Sequence, residues 1–292
     1  MQHKKFVILR IAIAALGLVA AGQAMADDAV LERGRYLANS IAACGNCHTP
    51  QGPDGPIAGM EYAGGMVIDM AGLFTANVPN ITPDAETGIG GWTDEQIAKA
   101  IREGIRPDGS LIGPPMPFGM YRNISDSDIK ALVAYVRSVA PVKNKVADST
   151  YKIALPPAYG PPVESVPDVA RDDKVAYGAY LAGPLGHCIE CHTPMGAGEM
   201  PDFANKLAAG GMEIPGPWGV SITANITPDK KTGIGNWSDA DIKKAVTEGV
   251  RPDGSRMAPP MPYGFYHNLS AEDLDAIVAY LRSLKPIENA VR

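Results

Sequence analysis

Cysteine is scarce in this 292-residue chain, and none of it is spare. All four cysteines fall in two pentapeptides, Cys44-Gly45-Asn46-Cys47-His48 and Cys188-Ile189-Glu190-Cys191-His192. No thiol is left for a structural disulfide, even in the oxidising compartments that exported chains meet. Long apolar runs are equally scarce. One stretch, Ile11 to Ala21, follows Lys4, Lys5 and Arg10 and precedes the small-residue motif Ala24-Met25-Ala26. It is shorter than the roughly 20 residues that span a bilayer, so residues 1–26 read as a cleaved secretory signal. No second such stretch occurs before Arg292. The mature chain is therefore expected to be soluble, to carry no transmembrane anchor and to reside in the periplasm.

Positive charge is also in short supply, with 26 Lys and Arg against 32 Asp and Glu and a net charge of −6. Removing the signal deepens the deficit. Such an acidic chain is a poor partner for nucleic acid, but it can be steered toward a basic docking surface. The sequence has no Gly-rich phosphate loop, nucleophile elbow or zinc-protease motif.

What is present is largely present twice. Gly34-Arg35-Tyr36-Leu37-Ala38 returns as Gly178-Ala179-Tyr180-Leu181-Ala182, and Cys44 as Cys188, both displaced by 144 positions. From Asn80-Ile81-Thr82-Pro83-Asp84 onward the displacement is 145, through Trp92 and Trp237, Arg106 and Arg251, and Pro114-Pro115-Met116-Pro117 and Pro259-Pro260-Met261-Pro262. The chain is a tandem duplication. The expected division is domain 1 over 27–140, a Pro-rich linker over 141–170 and domain 2 over 171–292. Each copy is long enough for one compact domain.

Helix signals dominate each copy. Thr93 with Gln96, and Ser238 with Asp241, predict helix starts, with Gly104 and Gly249 as stops; Ser125 with Asp128, and Ser270 with Asp273, predict the start of a last helix. Those last helices carry apolar residues at helical spacing, among them Ile129, Leu132, Val133 and Val136 in the first copy. Residues 31–42 read as the opening helix. The segments between are rich in Gly and Pro with little alternation, so an all-α fold is expected, its loops wrapped around something other than a sheet.

The pentapeptides name that something. Two cysteines on one helical turn can form thioethers with the two vinyl groups of a single porphyrin, while the following histidine turns its imidazole to the iron, so Cys-x-x-Cys-His reads as a c-type haem attachment. Two motifs predict two haem c groups, attached at Cys44, Cys47, Cys188 and Cys191, with His48 and His192 as axial ligands. A redox dithiol or part of a zinc site are the alternatives, but a thioredoxin-like motif belongs in a βαβ pattern and zinc usually takes four ligands per site. Methionine is the usual second axial ligand of electron-carrying cytochromes c. Repetition leaves two methionine pairs, Met66 with Met212 and Met116 with Met261. The second pair is favoured, because the prolines on both sides restrict the backbone around each thioether.

Each half resembles a class I cytochrome c domain. Asn-Ile-Thr-Pro-Asp, Thr-Gly-Ile-Gly-x-Trp, the Glu-Gly-x-Arg turn and Met-Pro-Phe or Met-Pro-Tyr resemble the cytochrome c subunits of periplasmic alcohol, aldehyde and gluconate dehydrogenases. The resemblance implies two tandem class I domains, each wrapped around one covalently bound haem, with crossed first and last helices and histidine–methionine ligation. It implies a non-enzymatic carrier passing electrons from a partner dehydrogenase to a cytochrome or terminal oxidase of the respiratory chain. A dihaem redox enzyme of the peroxidase or thiosulfate-oxidising type is the alternative, and a gas sensor a more distant one.

Around the haems, Trp92, Trp237, Arg106 and Arg251 have N–H groups suited to propionates, although core packing and turn roles serve them equally. Asn80 and Asn225 suit either a loop turn or a haem edge. His187 and His267 each occur in one copy only and read as solvent-exposed residues.

Overall fold

The computed structural model describes residues 27–291 apart from Ala71, Gly198, Glu199 and Pro217. The signal expected over residues 1–26 lies outside the described residues.

Helices begin where the sequence supplies a side-chain acceptor for the orphan N–H groups of a first turn. Thr93 accepts from the Gln96 N–H and Gln96 answers the Thr93 N–H, opening α3 (Asp94–Glu103), which Gly104 ends in the left-handed conformation. Ser238 and Asp241 do the same for α8 (Asp239–Glu248), ended by Gly249. Ser125 and Ser270 cap the long last helices, α5 (Asp126–Ser138) and α10 (Ala271–Ser283). The opening helices are residues 27–38 (α1) and Lys174–Tyr180 (α6), the latter running into a π turn over Leu181–Leu185. Single turns complete the set: α2 (Cys44–His48) and α7 (Cys188–Cys191) carry the pentapeptides, and α4 (Phe118–Tyr121) and α9 (Tyr263–Tyr266) follow the Met-Pro segments.

First and last helices cross in each copy at a glycine. A Cβ on Gly34 would lie 1.9 Å from the Ala131 carbonyl oxygen, and one on Gly178 would lie 1.9 Å from that of Ala276. Only a residue without a side chain lets the two backbones approach so closely.

The all-α expectation is corrected. About 33% of the described residues are helical and 11% are strand, in three small antiparallel sheets. The strands β1 (Gln51–Gly52) and β2 (Gly55–Pro56) form a minimal hairpin, β3 (Val67–Met70) pairs with β4 (Phe74–Asn77), and β6 (Glu213–Gly216) pairs with β7 (Gly219–Ile222). The physical reason lies in Val67, Ile68, Phe74, Ile214, Val220 and Ile222, β-branched or aromatic residues in runs of four. Such runs are too short to register against the surrounding Gly and Pro, yet they pair once a turn brings them together. A third strand, β5 (Thr150–Tyr151), joins β4 from beyond the last helix of the first copy.

The copies share one core. Leu37, Ile41, Tyr121 and Ile124 of the first pack in the same buried cluster as Tyr180, Leu181, Leu185, Tyr266 and Leu269 of the second. Contacts across it are reciprocal. Tyr180 donates to Asp128 at 2.8 Å and accepts from the Ser125 N–H, while Tyr36 donates to Asp273 at 2.7 Å and accepts from the Ser270 N–H. Because Tyr36 and Tyr180, and Asp128 and Asp273, are repeat partners, these contacts relate the copies by a local two-fold.

Candidate haem centres

Each pentapeptide starts a helical turn directly after a residue in the left-handed region, Ala43 at φ 45° and His187 at φ 39°. The turn puts both cysteines and the histidine of a motif on one short segment. All four cysteines are partly buried, and none forms a disulfide. Burial pushes Cys44 and Cys191 up to about 12 and Cys188 to about 11, and raises Cys47 as well. A redox dithiol needs the opposite shift, toward thiolate, so these pairs are unsuited to that chemistry. Among the described residues no group of three or more His, Cys, Asp or Glu side chains could hold a metal ion, so a zinc site lacks a ligand set.

The histidines are held from behind. His48 Nδ1 lies 2.9 Å from the Pro79 carbonyl oxygen, and His192 Nδ1 lies 2.7 Å from that of Ala224. A carbonyl only accepts, so the ring proton sits on Nδ1 and the Nε2 lone pair stays available. Burial lowers both imidazoles and keeps them neutral. A neutral, oriented imidazole whose second nitrogen is anchored is what an iron ligand requires.

The anchoring carbonyls are themselves positioned. Asn80 follows Pro79; its Oδ1 accepts from the Thr82 N–H and hydroxyl, and its Nδ2 donates to the Val142 carbonyl at 2.8 Å and to Thr87. Asn225 repeats these bonds with Thr227, Ile287 and Thr232. Of the two roles open to these asparagines, the structure assigns the loop. Arg106 and Arg251 turn inward on their own loops, donating to the Leu111 and Arg256 carbonyls. Trp92 and Trp237 pack against the buried core, and their carbonyls accept from Arg137 and Arg282.

Met116 and Met261 are half-buried and pack against the shared core. Their frames coincide: Pro117 and Pro262 have the same φ of −85° and ψ of 61°, and each frame holds a cis Pro-Pro bond. Met66 and Met212 instead stand at the entry to the β3 and β6 hairpins, where their carbonyls accept from Val78 and Thr223.

Two tyrosines escaped the sequence reading. Tyr121 and Tyr266 are buried; burial, then the nearby cysteines of their own copies, raise their ionisation. Their signal was available, since both lie five residues after the selected methionine in each repeat. His267 is exposed as expected, but His187 is not free in solvent: its ring meets that of Tyr121 at 6.0 Å, and burial pushes it down to about 4. Glu190, within the second pentapeptide, is pushed up to about 7 by the same desolvation.

The cytochrome c family model matches residues 31–140 and 175–285, and so takes in both pentapeptides and both Met-Pro frames. The chain belongs to the cytochrome c family. This cytochrome is 32% identical to a dihaem cytochrome c-type protein of Cereibacter sphaeroides, over 84% of this chain and 83% of that one. It is 35% identical to the cytochrome c subunit of a quinone alcohol dehydrogenase from Gluconobacter oxydans, over 94% of this chain and 60% of that protein. To the gluconate 2-dehydrogenase cytochrome c subunit of Pantoea cypripedii it is 33% identical, over 95% of this chain and 64% of that protein. The chain thus spans less than two thirds of the length of these two subunits.

Family membership and the fit of the pentapeptides make haem c the cofactor. The alcohol, gluconate and fructose dehydrogenase relatives are cytochrome subunits of those enzymes. Among the described residues no helix is long and apolar enough to cross a membrane.

Proposed function

We propose that this chain is a periplasmic dihaem cytochrome c that accepts electrons from a partner dehydrogenase and delivers them to a cytochrome or terminal oxidase of the respiratory chain. One observation carries the reading: the pentapeptide with its carbonyl-anchored imidazole and the Met-Pro frame both occur twice, in one chain with one shared core. Cys44 and Cys47 would hold one haem and Cys188 and Cys191 the other, with His48 and Met116, and His192 and Met261, as axial pairs. Haem c supplies a one-electron ferrous–ferric couple when bound. The chain's part is to hold each imidazole neutral and aligned through Pro79 and Ala224, to fix each thioether between prolines, and to exclude water with the buried Tyr121 and Tyr266. The dehydrogenase subunits among the relatives favour a dehydrogenase as electron donor, and the apolar run at Ile11 to Ala21 favours export.

Haem counting by the alkaline pyridine spectrum and intact mass tests the attachment. Two covalent haems are expected in the wild type and one in Cys47→Ser or Cys191→Ser. The oxidised protein should show the weak long-wavelength band of iron–methionine ligation, lost when Met116 and Met261 are both replaced by Ala. Turnover of peroxide or thiosulfate by the pure protein would overturn the carrier reading in favour of a dihaem enzyme.

A further inference from the structure

The repeat breaks just after each last helix. Asn144 and Asn289 are still equivalent, donating to the Ala63 and Ala209 carbonyls at 2.9 Å each. Past Asn144 the first copy is overlaid by residues 148–161.

The overlay converges on the segment that bears Met116. Asp148 and Ser149 bond Asn77, and Thr150 and Tyr151 add β5 to the edge of β4. The Tyr151 ring then lies on Gly113, where a Cβ would sit 2.3 Å from it, and its hydroxyl donates to the Pro114 carbonyl at 3.1 Å. The Tyr159 ring stacks on Phe118 at 4.8 Å, and its hydroxyl donates to the Ile112 carbonyl at 2.9 Å. Arg122 closes the arrangement from the far side of the methionine, donating to the Tyr159 and Pro161 carbonyls at 2.6 and 2.5 Å. The Met116 segment is thus tied at residues 112, 114, 118 and 122 to one extended stretch of chain.

The second copy has replaced the parts this needs. Gly113 becomes Ala258, Phe74 becomes Gly219 and Arg122 becomes His267. The Pro259 carbonyl takes a hydroxyl from Ser221 of its own hairpin instead. Tyr263, in the place of the fully buried Phe118, has a hydroxyl screened from water with no partner. Gly113 is buried but Ala258 is exposed, as are Pro259 and Pro260. Beside them Trp218, Val220 and Ile222 present 42%, 62% and 41% of their surface.

Resting on the assignment of Met116 and Met261 as axial ligands, we propose that residues 148–161 are a strap that locks the Met116 arm, making the two haem sites unequal toward small ligands. The Met116 arm is held shut. The Met261 arm swings out and admits a small neutral donor, imidazole being the representative. The exchange replaces a thioether sulfur by an imidazole nitrogen and needs no oxidant or reductant. Tyr151, Tyr159 and Arg122 are positioning residues, acting through the backbone on either side of Met116.

The experiment is an imidazole titration of the oxidised full-length holoprotein, followed through the iron–methionine band. In the wild type, half the band is lost at low imidazole and the other half resists at least tenfold higher concentrations. Met261→Ala removes the sensitive half and Met116→Ala the resistant half. Tyr159→Phe combined with Arg122→Ala brings the resistant half within threefold of the sensitive one; Tyr151→Phe, which removes one hydroxyl and keeps its ring, gives a smaller shift in the same direction. Equal sensitivity of the two halves in the wild type, a resistant half that belongs to Met261, or strap variants that keep both haems without any shift would each overturn the strap. Failure of the ligand assignment is read separately, as a full band surviving in Met116→Ala before any imidazole is added.

Discussion

Tyr36 donates its hydroxyl proton to Asp273 at 2.7 Å, so a side chain from the first helix of one copy completes the start of the last helix of the other. The same hydroxyl accepts from the Ser270 N–H at 3.0 Å, satisfying a group at the helix start that α10 cannot pair within itself. Tyr180 reproduces both bonds on Asp128 and Ser125. One difference separates the pairs. Asp128 also receives both arms of the Arg33 guanidinium, at 2.8 and 2.9 Å, whereas Tyr177 occupies the repeat position of Arg33 and among the described residues Asp273 has no such cation.

Tyr36→Phe should therefore cost more than Tyr180→Phe. The first leaves the buried Asp273 carboxylate without a side-chain partner, a loss of about 2–3 kcal/mol; the second leaves Asp128 on Arg33, a loss of about 1 kcal/mol. Urea denaturation of the two variants checks the order. Equal costs would mean that Arg33 contributes nothing at the interface.

The helix crossings make a second prediction. Gly34→Ala and Gly178→Ala each force a methyl group into a neighbouring backbone carbonyl, and each should destabilise by about 1–3 kcal/mol or more. Gly119→Ala, whose Cβ meets nothing within 4 Å, is the control and should be close to neutral in the same denaturation assay.

Much of this was legible beforehand, and what was missed shares a cause. The Thr93–Gln96 box, the Gly104 stop and the Ser125 and Ser270 caps were readable because each signal lies within one helical turn. The β3–β4 and β6–β7 hairpins were not, since four residues such as Phe74 to Asn77 carry too little alternation to outweigh adjacent Gly and Pro. The role of Gly34 depends on a carbonyl nearly a hundred residues away. The repeat itself revealed that Tyr36 and Tyr180 correspond, but not that each would reach across to the other copy. Residues 141–170 read as a linker from their prolines, and that composition carried no sign of the contacts that Tyr151 and Tyr159 make with Pro114 and Ile112.

Acid stability follows from the repeated loops. The Asp84 carboxylate is lowered first by the Thr87 hydroxyl and then by the Thr87 N–H, and Asp229 first by the Thr232 N–H and then by its hydroxyl. Asp126 is lowered by the Ser165 hydroxyl and by Arg102. A carboxylate held below its ordinary value of 3.8 contributes stability that is fully present above that value and is lost as pH falls through the lower folded value. The urea midpoint should therefore not change with pH through these groups between neutrality and about pH 5, where their contribution is fully present, and should fall increasingly below pH 4. Asp84→Asn with Asp229→Asn should lower the midpoint at pH 7 and flatten the decline in acid. An unchanged acid slope would remove these loops from the account.

The asparagines next to the anchoring carbonyls offer a prediction that separates the two centres. Asn80→Ala removes the bonds that hold Thr82 and Val142 around Pro79, and so loosens the carbonyl on which His48 Nδ1 rests. The buried Thr82 N–H left without its acceptor should cost about 1–3 kcal/mol in stability. Asn225→Ala does the same to Thr227, Ile287 and the carbonyl that holds His192. Because the hydrogen bond to Nδ1 sets the basicity and orientation of an axial imidazole, each substitution should move one reduction step and leave the other in place. Spectroelectrochemical titration of wild type, Asn80→Ala and Asn225→Ala reads this directly, and the two variants should displace different steps. If either variant shifted both steps equally, the loops would be acting through the shared core instead of through their own histidines.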